Sequence, residues 1–236
     1  MHVPVISNDF DVLPCESPET SQATYADLRQ RCPVAHTDSL GGFWALTRHA
    51  DVARVAADYG TFTTTVQNVV PKIAFTGRRP PLHLDPPDQT PYRAALNPLL
   101  SAERVGLLES TVRRIVRDEL HPLVVRGTGD ICGEFSGRFP VRVFGHWMNL
   151  DDGLQAKLMD AGPAFIRAVQ AFDNVAMKDT SVVLYDMARE VIAQRKANRL
   201  SPETDPVSAL LAVRIEQSGQ QVPLPDDMII GTVRQV

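Results

Sequence analysis

The sequence predicts a mainly α-helical protein with a small β-sheet near its N-terminus. Apolar residues recur at steps of three and four over long stretches, β-branched runs are few, and no internal repeat or long linker divides the chain. Residues 1–20 form an N-terminal extension in this reading, and residues 21–236 are one domain or part of one. The first helix is expected at Ala23–Arg31. Val34–His36 and Phe43–Thr47, joined by the polar TDSLGG, have the pattern of a hairpin. His49–Tyr59 is again helical in period, whereas Thr61–Pro81 is β-branched and then interrupted by Pro and Gly, as in a long binding loop. Helices follow at Gln89–Leu100 and Ser101–Arg126, the latter carrying Val105, Leu108, Val112, Ile115 and Leu120 on one stripe and stopping at Gly127–Gly129. Further helices are expected at Glu134–Met148, Gly153–Val169, Thr180–Arg199 and Pro206–Gln217. Pro225-Asp226-Asp227 opens a last helix whose apolar face begins with Met228, Ile229, Ile230 and Val233, and whose missing cap suggests truncation.

Composition bounds the function. At 44% hydrophobic and 22% charged, the 236 residues are ordinary for a globular protein, and no apolar run approaches the roughly 20 residues of a spanning helix. Without a basic stretch leading into an apolar one at the N-terminus, a cytoplasmic location is expected. Cys15, Cys32 and Cys132 are widely spaced and form no CxxC pair, so plain thiols are expected rather than a disulfide framework or a metal site. A net charge of −4 argues against a general nucleic-acid binder. Basic residues still bunch, with Lys72, Arg78, Arg79 and Arg93 in one group and Arg104, Arg113, Arg114 and Arg117 in the next, diluted by Asp85, Asp88, Glu103 and Glu109. Such runs are either solvated faces or a local patch facing an anionic group. Ser/His/Asp spacing, a Gly-rich phosphate loop and HExxH are all missing, which leaves no hydrolase or nucleotide-binding signature.

The most informative stretch is LHLDPPDQTPYRAALNPLLS, residues 82–101. Gln89 and Arg93 fall at i and i+4 on a new helix, with Pro91 in the first turn where its missing N–H is not needed. A carboxamide beside a guanidinium suits a carboxylate or phosphate. The alternative is a capped helix with Arg93 in an ordinary salt bridge.

The order of segments resembles the N-terminal half of a bacterial cytochrome P450 of the soluble camphor-hydroxylating type. GGFWALTRHADVARVAADYGTFTT is similar to that family's strand–helix segment, and LHLDPPDQTPYRAALNPLLS is similar to its helix C. GEFSGRFPVRVFGHWMNL resembles helix E, LYDMAREVIAQRKANR the end of helix G, and DPVSALLAV helix H. The resemblance implies the family's helical fold with its small N-terminal sheet, ending at the start of the central helix. It also implies a haem b cofactor, its propionate held by Arg93 and Gln89, although Gln89 departs from the commoner His. His83 is a further candidate at the haem edge, or else a loop His facing water. Val69, Val70, Ile73 and Phe75 match the substrate-recognition loop, unless they merely fill core.

The family's axial Cys, its ExxR pair and its oxygen-activating acid–Thr pair are not found in these residues, so no catalytic or metal-ligating residue is expected here. The implied whole is a monooxygenase inserting one atom of O2 into a small apolar substrate, with electrons from a ferredoxin-type or flavin donor and with no nucleic-acid or membrane partner. This chain alone is expected to be inactive. The competing reading is a cofactor-free all-α binding or interaction module, which would show no haem absorbance.

Overall fold

The computed structural model describes residues 8–11, 18–66, 70 and 77–235. The chain forms two compact units, Met1–Ile73 and Ala74–Val236.

In the first unit, α1 (Pro18–Arg31) starts earlier than expected, with Pro18 at the first position, where it costs no hydrogen bond. The expected hairpin is present as β1 (Val34–Thr37) and β2 (Phe43–Leu46), antiparallel with Ala35 opposite Ala45. Gly41 and Gly42, at φ 91° and 84°, supply the reversal that an L side chain resists. Asp9 extends β1, its N–H donating to the His36 carbonyl at 2.8 Å and its carboxylate accepting the His36 N–H at 2.9 Å. The unit continues into α2 (His49–Ala57).

The second unit departs from the sequence expectations at several places. Gln89–Leu100 is not one helix: α3 (Thr90–Leu96) passes into a 3-10 turn at Asn97–Leu100, because Pro98 has no N–H to continue the ladder. Ser101–Arg126 divides into α4 (Ala102–Gly106) and α5 (Glu109–Arg126). At the joint the Leu108 N–H reaches back only three residues, to the Val105 carbonyl at 3.0 Å, just after Gly106. The segment expected as Glu134–Met148 is a π-helical turn at Ile131–Ser136 followed by α6 (Phe139–Trp147). Pro206–Gln217 is helical only as α9 (Pro206–Ala212), after α7 (Asp152–Gln170) and α8 (Asn174–Ala197). Its remainder is a second hairpin, β3 (Arg214–Gln217) with β4 (Gln220–Pro223). Ser218 and Gly219, at φ 51° and 77°, make the two-residue turn that matches strand twist.

Capping sets the long helices. Asp151 accepts the Leu154 N–H at 2.8 Å to start α7, and Asp173 accepts the Val175 and Ala176 N–H groups at 3.0 Å, which starts α8 well before Thr180. The last helix, α10 (Asp226–Gln235), begins where the acidic Pro-Asp-Asp start predicts. Leu96, Leu154, Val191, Leu210, Ile229 and Val233 form the core through which α3, α7, α8, α9 and α10 meet. Among the described residues no helix is long and apolar enough to cross a membrane.

Candidate functional site

The first part of the site is the entry to α3. Gln89 sits at the helix boundary with helical torsions, and the Arg93 N–H donates to its carbonyl at 3.2 Å, so the two residues stack one turn apart. The Gln89 amide is turned back onto the Pro81 and Leu84 carbonyls at 3.5 and 3.4 Å, long contacts that leave it easily redirected. Arg93 is exposed, and among the described residues its guanidinium has no hydrogen-bond or ion-pair partner. The ordinary salt bridge weighed for it is therefore not formed. A free guanidinium fork beside a redirectable amide is a donor set that fits a carboxylate such as a haem propionate.

The second part lies just upstream. His83 does not face water; it is 7% exposed. Its Nδ1 accepts the Arg79 N–H at 3.3 Å, and its Nε2 lies 3.3 Å from the Arg79 guanidinium. Burial, then the charges of Arg79, Arg78 and Arg234, lowers the His83 pKa and favours the neutral imidazole. Arg79 is also pushed below the usual guanidinium range by burial.

Arg234 enters this region from α10. Gly231 allows the approach, since a Cβ there would lie 1.8 Å from the Arg78 carbonyl oxygen. The guanidinium sits 4.8 Å from the Phe165 ring centre on α7 and 5.9 Å from that of Tyr185 on α8. Burial, with Arg79 adding repulsion, pulls its pKa down to about 10. Its Nε and the hydroxyl of Tyr185 are both buried without a partner, and among the described residues no carboxylate pairs with Arg79 or Arg234.

The third part is a cavity of about 730 Å³ between α6, α7, α8 and α10, walled by residues such as Val141, Phe144, Leu158, Leu184 and Met187. Among the described residues its charged lining residues are Arg167 and Arg234, and no acid lines it. Of the loop residues expected to line a substrate pocket, Val70 is 45% exposed, and Val69, Ile73 and Phe75 lie outside the described residues. Cys32 and Cys132 are free thiols, Cys15 lies outside the described residues, and no cluster of three or more potential metal-ligating side chains occurs among the described residues.

The two basic runs resolve differently. In the second run Arg113 pairs with Glu109 at 2.9 Å and Arg114 with Asp118 at 3.5 Å, two exposed pairs on α5, and Arg104 binds the Glu203 carbonyl. In the first, Arg79 turns inward. Sequence reasoning missed Arg234 and Tyr185, although an Arg next to Val233 on the apolar face of α10 was a signal of a buried charge.

The fold is the cytochrome P450 fold, over roughly the N-terminal half of the solved chains it matches. Cytochrome P450 CYP268A2 of Mycobacterium marinum, solved in complex with pseudoionone, superposes with a TM-score of 0.81 at 18% identity, over 98% of this chain and 60% of its own. CYP101J2 gives 0.75 at 22% identity, over 100% and 58%. In sequence, cytochrome P450 130 of Mycobacterium tuberculosis is 27% identical over 227 residues, 91% of this chain and 55% of its own length. Linalool 8-monooxygenase of Pseudomonas putida is 27% identical over 220 residues, 86% of this chain and 53% of its own. No family model matches. The chain spans about half the length of the curated relatives it matches. Over this span the chain is similar to the N-terminal half of cytochrome P450 proteins.

Proposed function

We propose that these residues serve a haem-dependent monooxygenase that inserts one oxygen atom from O2 into a small apolar substrate. The observation that carries the reading is Arg93, a partnerless guanidinium one turn from the Gln89 amide at the entry to α3. In this role Arg93 donates a two-pronged hydrogen bond to a haem propionate, and Gln89 swings from its long contacts to add a neutral donor. His83, buried and neutral, fits a hydrogen-bonding or packing role at the haem edge better than a charged one. When bound, the haem supplies the oxygen chemistry, while the chain positions the group and keeps water from its apolar side.

Both compact units belong to one domain in this reading, with residues 1–20 as its extension. Val69, Val70, Ile73 and Phe75 would line the substrate loop. A ferredoxin-type or flavin protein would supply electrons in the cytoplasm. The names of one relative and of one neighbour's ligand, linalool and pseudoionone, are of small and mostly apolar molecules, which supports the substrate class. The 236 residues contain no Cys in a Gly-rich ligand loop, so by themselves they would not activate oxygen.

Arg93→Ala tests the reading. Because Arg93 supports nothing in the fold, the variant should unfold at the same urea concentration as wild type while its affinity for added haem, read by absorbance titration, falls about tenfold or more, as expected for loss of a charge-assisted bond. Equal haem affinity in the two proteins would refute the assignment. No haem binding by either would favour the cofactor-free module.

A further inference from the structure

We draw no further inference here: the strongest candidate, the exposed apolar surface patch of Ile166, Phe172 and Val175 around the turn joining α7 to α8, is an unpartnered face, and nothing in the structure shows what covers it.

Discussion

Asp205 offers the sharpest test of what holds the second unit together. It is fully buried, and its Oδ2 accepts from Arg195 Nε at 3.0 Å and from the Asn149 amide at 3.3 Å. Its Oδ1 caps α9 by accepting the Ser208 N–H at 2.7 Å. Arg195, 6% exposed, also donates to the carbonyls of Met148 at 3.2 Å and Asn149 at 2.6 Å. One ion pair thus joins α8, the end of α6 and the start of α9. Asp205→Ala removes the cap, worth about 1 kcal/mol, and strands the guanidinium, at about 3–5 kcal/mol, for a total of about 4–6 kcal/mol. That is a large share of the roughly 5–15 kcal/mol by which proteins are stable. Asp205→Ser keeps a capping oxygen and isolates the charge effect. Arg195→Met strands the carboxylate instead, and the double variant should recover much of either loss, a coupling above about 2 kcal/mol. Urea unfolding followed by circular dichroism measures the four variants against wild type. A loss below about 1 kcal/mol in Asp205→Ser, or a coupling below about 0.5 kcal/mol, would show that the pair is not what joins these helices.

Two further perturbations follow from the packing. Glu119 on α5 accepts from Arg138 at 3.0 Å and from Arg142 at 2.6 Å, and although burial works to raise its pKa, those bonds outweigh it and hold the carboxyl below its ordinary range. A lowered folded-state pKa stabilises the protein above the unfolded value of 4.5 and ceases to do so as pH falls through the folded one. Glu119→Gln should therefore cost about 1–3 kcal/mol at neutral pH, with the gap from wild type closing in acid; a gap independent of pH would contradict the ion-pair account. Gly231→Ala places a methyl 1.8 Å from the Arg78 carbonyl oxygen, a backbone atom that cannot rotate away. It should destabilise by at least the roughly 1–3 kcal/mol of an overpacked core, whereas wild-type stability would mean that α10 has room to retreat.

Periodicity and caps made much of the helical frame legible. α7 and α10 match their apolar stripes, and the β1–β2 hairpin was visible in its alternation and Gly-containing turn. The breaks were less visible. At Pro98 the residues on both sides keep a helical stripe, so the lost N–H divided what pattern alone joined. In β3 and β4 only Ile215 and Val222 turn inward, too short an alternation to register as strands.

At the site, Gln89 and Arg93 could be read because one helical turn fixes their spacing, a relation internal to the chain's local order. Arg79, Phe165, Tyr185 and Arg234 lie on separate elements, and nothing in their spacing along the chain announces that they meet. Their chemistry depends on burial, which belongs to the neighbours a residue acquires rather than to the residue. An Arg beside Val233 has the same side chain in any sequence; its guanidinium comes to lie against the Phe165 and Tyr185 rings only when Gly231 lets α10 close on the Arg78 carbonyl.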